Sequence, residues 1–284
     1  MTIRPDRRTE PTQLRPFSSS QNLLNRCDGS AQFQFDKTAV LVSITGPTEV
    51  KFRDEKLDRA SLEVIVRPLT GLSSTKERVL ESVMRSTFAN VILTGLHPRT
   101  SIQIVAQVMK DDGCVSVGVI AVCLLVVCGV RYDKLDNSSA KSLTSIAYFG
   151  LHQVQSAAIN ATTMALLDAG IPMNALVGSV TCMVGKEDGE ILMDPTMEEL
   201  SRARSIHTFA FDSASRTSVM MDENGGKGTS GGVVLYSEST GDFTEDEYFG
   251  CMSLCQQATH KVHGFVRTAV EKKIEREYQQ ITGS

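Results

Sequence analysis

The chain has 284 residues, 41% of them hydrophobic and 22% charged, with a formal net charge of −4 and a pI near 5.8. This is the balance of a soluble globular protein, and it excludes a free-standing basic nucleic-acid binder: any RNA contact must be a local patch or be shared with partners. Seven cysteines without a CxxC pair suit a reducing compartment better than a disulfide framework, and the N-terminal stretch lacks the apolar core of a signal peptide, so an intracellular protein is expected.

Residues 1–20 are polar and contain prolines and serines, which predicts a flexible, irregular arm. Residues 21–284 are expected to form a single domain. Phe33 and Phe35, then Val40, Val42 and Ile44, alternate on either side of Asp36-Lys37 and predict a hairpin. Gly46-Pro47 is expected to turn the chain, with a further strand beginning at Glu49 and another over 62–67, stopped by Pro68. Ser74-x-x-Glu77 is a capping box, and Leu80, Val83, Met84 and Phe88 follow at helical spacing. Ile102, Ile104 and Val108 alternate with Gln103, Gln107 and Met109, a two-residue period that predicts a strand with one buried face.

A second helix is predicted over 154–169, ended by Gly170 with Pro172 beyond it. Strands are expected over 179–184, 191–194 and 206–211, and over 219–221 and 233–236 on either side of the turn NGGKGTSGG. A second capping box, Thr244-x-x-Glu247, opens a long amphipathic C-terminal helix with Tyr248, Met252, Cys255, Val262, Phe265, Val266 and Ala269 on one face. The order (strands, helix, strand, helix, strands, helix) defines an α+β class.

Local motifs point weakly to chemistry. NGGKGTSGG lacks the spacing of a phosphate loop and reads as a hairpin tip. Cys251 and Cys255 lie one turn apart near His260 and His263, but without the spacing of a zinc finger, and read as core thiols. Lys51, Arg53, Lys56 and Arg59 interleave with Glu49, Asp54, Glu55 and Asp58 as a solvated charged surface. His97 and His207 stand without an obvious nucleophile. Asp111 and Asp112, at the end of the central strand, are acid candidates by position, with a surface turn as the plainer reading.

Longer stretches carry a resemblance. DGSAQF, GPTEVK, DRASLEVIVRP, ERVLESVMRSTF, ILTGLHPRTSIQIVAQVMKDDG, SAAINATTMALLDAGIPM and MDPTMEEL resemble the RNase PH family. The nearest likeness is to the RNase-PH-like ring subunits of the eukaryotic RNA exosome, of the component-five type. The resemblance implies an RNase PH-like (ribosomal protein S5 domain 2-like) βαβα core with a C-terminal helix. Active members cleave RNA from the 3′ end with inorganic phosphate, using two arginines for phosphate and two aspartates for a divalent metal. Guanidinium forks suit phosphate, and the metal offsets charge at the scissile phosphodiester.

Counted back without gaps from Arg99-Thr100, the first arginine position falls on Phe88; counted from Asp194, the aspartate positions fall on Leu200 and Ile206. The turn that carries the second arginine has no arginine here. The resemblance therefore implies a non-catalytic subunit with no cofactor or metal. It would complete a ring with other RNase-PH-like subunits beneath RNA-binding cap subunits and thread RNA to a separate nuclease. Lys76, Arg78 and Arg99 are the candidate RNA contacts. The same resemblance implies nucleus and nucleolus, also cytoplasm, and no membrane.

Residues 115–153 interrupt this likeness. Their apolar run, Gly118 to Val130, is short of the ~18–20 residues that span a bilayer. Removing them joins KDDGC to VQSAAIN, the continuous strand–turn–helix of the family. Two readings stay open: an intron retained in frame, or a lineage-specific insertion forming an apolar helix at a partner surface.

Overall fold

The computed structural model describes residues 4–6, 8–111, 137–186, 189–213 and 232–282, with the side chains of 137–150 left aside. The strand expected over 219–221, nearly all of the glycine-rich turn, Asp112 and the apolar run Gly118 to Val130 lie outside the described residues. Among the described residues no helix is long and apolar enough to cross a membrane.

Among the described residues, nine strands form two sheets. In the first, β1 (Phe17–Gln21), β2 (Gly29–Phe35), β3 (Thr38–Glu49), β4 (Ser61–Arg67) and β5 (Thr100–Lys110) run in the order β1-β2-β3-β5-β4. All pairs are antiparallel except β4 with β5. A parallel pair needs a crossover, and helix α1 (Thr75–Ala89) supplies it. Both halves of the Ser74/Glu77 capping box are present, so two orphan amides at the start of α1 are satisfied locally. The alternation read in β5 is real: Ile102, Ile104, Ala106 and Val108 are buried.

The second sheet holds β6 (Val177–Gly185), β7 (Ile191–Met193), β8 (Ala203–Asp212) and β9 (Val234–Gly241) in the order β7-β6-β8-β9, all antiparallel. A short helix, α3 (Met197–Leu200), separates β7 from β8, and α4 (Glu245–Thr282) closes the chain. Between the sheets lies α2 (Asn137–Ala169). It packs on β2 and β3 from one side and on β6 and β8 from the other. Every residue from 152 to 166 is buried. Close approach requires small residues at the contact: a Cβ on Gly29 would stand 2.6 Å from the Ala165 carbonyl oxygen.

Burying a helix on all faces leaves its polar residues no water. Its neighbour satisfies them. β6 pairs with β7 only at its far end, so the outer backbone groups of Val177 and Ser179 have no strand beside them. Asn160 Oδ1 accepts from the Ser179 N–H at 2.8 Å and its Nδ2 donates to the Ser179 carbonyl at 2.9 Å. Ser156 Oγ donates to the same carbonyl at 2.8 Å, and Thr163 Oγ1 to the Val177 carbonyl at 2.9 Å. A polar stripe on α2 thus stands in for a missing strand.

Three expectations change. First, the N-terminal arm is ordered where it is described. Pro16 leads into β1, and Arg4, Arg8 and Arg15 are buried. Arg15 Nε and Nη2 fork onto Asp194 at 2.8 and 2.6 Å, and Arg4 Nε and Nη2 onto Glu199 at 2.6 and 2.9 Å. The polar composition that suggested disorder is that of a charged clasp, which needs its distant carboxylates to fold. Second, Gly46-Pro47 does not end the strand. A register shift between Thr45 and Thr48 lets β3 continue to Glu49 against β5. Third, α2 begins at Asn137, so residues 137–153 of the interrupting segment are helical and continuous with the family helix.

The clasp yields a stability prediction. Asp194→Ala leaves the Arg15 guanidinium, 3% exposed, without its carboxylate, and a buried charge stripped of its partner costs about 3–5 kcal/mol. Urea unfolding is expected to show a loss of that size; a loss under ~1 kcal/mol, the range of exposed ion pairs, would mean the arm is not held by this pair.

Candidate functional site

The strand ends fix where a site can form. α1 starts just past the C-terminal end of β4, where Ser73 Oγ donates to the Val66 carbonyl and Gln107 Nε2 to the Pro68 carbonyl. The start of α1 and the last residues of β5 therefore share one end of the first sheet. Gln153 of α2 donates to the Pro195 carbonyl, which brings the β7–α3 connection to α2 at the point where the family likeness of that helix begins.

Lys76 and Arg78 stand on the first turn of α1 at that end, Lys76 half-buried and Arg78 exposed. Arg99 does not join them. It precedes β5, pairs with Glu55 at 3.4 Å, and sits at the opposite end of the sheet. Eight residue steps along the strand, about 26 Å at the usual rise, separate it from Gln107. One phosphate therefore cannot contact Arg99 together with Lys76 or Arg78.

Phe88 is also displaced from its expected role. It lies at the C-terminal end of α1, fully buried, beside Val91 and Ile92. Val91 and Leu93 bond to Asn174 and Pro172, just past the C-terminal end of α2. Phe88 thus stands about one helix length, roughly 20 Å, from the start of α1 and the C-terminal end of β5 beside it. Its side chain is closed off from any ligand, and the ungapped count that led to it ran through a connection whose length is free to vary.

Leu200 and Ile206 are brought together. Both are fully buried and form a small apolar cluster with Met183 and Ala203, edged by Leu192 and Met197. The two nearest buried carboxylates, Asp194 and Glu199, are the ones held by Arg15 and Arg4. Among the described residues no three His, Cys, Asp or Glu side chains are grouped to hold a metal ion. Cys251 and Cys255 are buried, as is Cys182, whose thiol is raised well above its usual pKa by burial; the three form part of the core.

A polar pocket that the sequence did not announce surrounds two histidines. His152 Nδ1 and Nε2 lie 3.0 and 3.1 Å from the hydroxyls of Thr208 and Thr240. His207 Nε2 and Nδ1 lie 3.0 and 2.7 Å from those of Ser205 and Ser239. Burial, reinforced by the neighbouring His152, lowers the His207 pKa to about 4, so its ring is neutral near pH 7. A histidine between two serines invites a nucleophile reading, but His207 and Ser205 are both 0% exposed and no substrate reaches them. The i, i+2 spacing on β8 was the one available signal.

With this geometry in hand, comparison with known proteins is informative. The family model described as "3' exoribonuclease family, domain 1" matches residues 13–172, and that for domain 2 of the same family matches residues 176–258. The Saccharomyces cerevisiae protein named exosome complex component RRP46 is 31% identical, over 89% of this chain and 94% of its own length. An Oryza sativa relative named exosome complex exonuclease RRP46 homolog is 28% identical, over 93% of this chain and 94% of its own. The crystal structure of rice Rrp46 superposes with a TM-score of 0.70 at 27% identity, covering 94% of this chain and all of that one.

The displaced position gives a prediction. Phe88→Arg places a guanidinium in the main core with no carboxylate beside it, a change expected to cost several kcal/mol. The urea midpoint is expected to fall sharply, and excess inorganic phosphate to restore none of it. Recovery with phosphate would return Phe88 to the phosphate site.

Proposed function

We propose that this chain, which belongs to the 3′ exoribonuclease (RNase PH) family, is a non-catalytic structural subunit of an RNA exosome ring. In this reading it completes a hexamer with other RNase-PH-like subunits, beneath RNA-binding cap subunits. The ring supports 3′-to-5′ RNA processing and degradation by threading RNA to a separate nuclease. The names of the yeast and rice relatives support the assembly. Nucleus and nucleolus, with a cytoplasmic pool, are the compartments that go with it.

One observation carries the catalytic part of the reading. Where the family's metal carboxylates are expected, Leu200 and Ile206 fill a closed apolar cluster, and the nearby Asp194 and Glu199 are occupied by buried arginines. Phosphorolysis concentrates negative charge on the attacked phosphate, and apolar side chains at the carboxylate positions hold no metal to stabilise it. What remains at this end is the positive charge of Lys76 and Arg78, which suits sequence-independent contact with an RNA backbone.

The test uses the chain assembled with the other exosome subunits, with any separate nuclease inactivated, and radiolabelled RNA. No phosphate-dependent release of nucleoside diphosphates is expected. The pair Lys76→Ala with Arg78→Ala is expected to weaken RNA binding and flatten its salt dependence by up to about two phosphate contacts. Nucleoside diphosphates released in proportion to phosphate, and lost when this chain alone is replaced, would make it an enzyme.

A further inference from the structure

Along the outer edge of the first sheet runs a groove of about 550 Å3 whose two walls are β1 and α4. All five residues of β1 line it. A sheet face would contribute alternate residues only, so the groove follows the strand's edge. The opposite wall is a single helical stripe of Phe265, Thr268, Ala269, Lys272, Lys273 and Arg276. Five residues of strand span about 17 Å, and the stripe on α4 has nearly the same length at ~1.5 Å per residue.

The register shows which backbone groups face it. Asn22 N–H donates to the Ser30 carbonyl and Asp36 N–H to the Pro16 carbonyl. In an antiparallel pair bonding alternates along the strand, so the even-numbered residues of β1 turn their backbone toward β2. The N–H and C=O groups of Phe17, Ser19 and Gln21 turn away from it. Gln21 Nε2 is buried there and also lacks an acceptor. Exposed edges are ordinarily blunted by lysine, proline or a bulge, yet the strand FSSSQ contains none of these.

Charge selects what fits. Among the described residues, no carboxylate lines the groove. Lys273 is engaged by Asp168 and Glu277, whereas Lys272 and Arg276 have no ion pair among the described residues. Outward carbonyls require donors opposite them, and outward N–H groups require acceptors. A peptide strand supplies both, whereas an RNA backbone offers chiefly acceptors.

We infer that this groove receives an extended, acidic segment of another protein, added as a sixth strand beside β1 with its carboxylates opposite Lys272 and Arg276. This is strand addition, in which main-chain bonds give affinity and the flanking side chains give selectivity. The inference rests on the ring reading only in taking a neighbouring exosome subunit as the source of the strand.

The experiment is residue-resolved amide hydrogen exchange on the tagged full chain, free and in the complex purified from its own cells. In the free chain Ser19 and Gln21 amides are expected to exchange fast, and Ser18 and Ser20 slowly. In the complex Ser19 and Gln21 are expected to slow at least ~10-fold. Lys272→Glu with Arg276→Glu is expected to abolish that slowing. Ser19→Pro removes an outward N–H at an edge position that tolerates proline, and should release the strand donor while leaving the unfolding midpoint near that of the parent chain. A photocrosslinker at Ser18 should then reach an acidic extended segment of another subunit.

Ser19 and Gln21 amides that exchange equally fast in an assembled complex overturn the groove and leave the ring reading intact. A chain that purifies alone overturns both. Protection that appears only with added RNA, or that follows the concentration of the isolated chain, overturns the inference in favour of nucleic acid or a second copy.

Discussion

The structure depends on one stretch of helix, residues 152–166 of α2, being buried on every side. α2 lies between two sheets, so its side chains meet β2 and β3 in one direction and β6 and β8 in the other. An apolar helix would fill that space, but it would leave the outer backbone groups of β6 unpaired, at about 1–3 kcal/mol for each buried orphan. Ser156, Asn160 and Thr163 resolve this by bonding directly to Ser179 and Val177. The two halves matched by separate domain models thereby share one core. The clasp of Arg4 and Arg15 on Glu199 and Asp194 repeats the join from the N-terminal side.

The parts of this fold legible in the sequence are those encoded by local rules. Capping boxes placed the starts of α1 and α4, and two-residue alternation gave β2, the first part of β3, and β5. Gly170, with φ +67°, ends α2 where the sequence put the stop. Interactions between distant residues were not legible. Ser156, Asn160 and Thr163 look like poor helix residues until β6 is beside them. Arg4 and Arg15 look like a solvated tail until their carboxylates, more than a hundred residues away, are in place. β1 escaped notice because FSSSQ carries one apolar residue and no alternation.

The candidate site divides along the same line. Leu200 and Ile206 were counted from Asp194 across a short, fixed stretch, and they fall together in one cluster. Phe88 was counted back from Arg99 across a loop and a short 3-10 turn, where one inserted residue displaces every earlier position, and the structure buries it at the C-terminal end of α1. Arg99, likewise, shares only charge with Lys76 and Arg78. Spacing in the sequence carries a site only as far as the backbone between the residues is regular.

His152 and Gln153, the last residues of the interrupting segment, bond to the second sheet and to the β7–α3 connection. In a chain joined from Cys114 to Val154, Gly113 and Cys114 would take the places of His152 and Gln153, and Thr208 and Thr240 would lose the imidazole between them. Affinity purification of the chromosomally tagged protein, followed by peptide mass spectrometry, addresses this and the central claim together. The account predicts near-equal amounts of other RNase-PH-like exosome subunits. A peptide running from Cys114 directly into Val154 identifies a retained intron, and peptides from within 115–153 identify a true insertion. A protein recovered alone, without those subunits, would contradict the account.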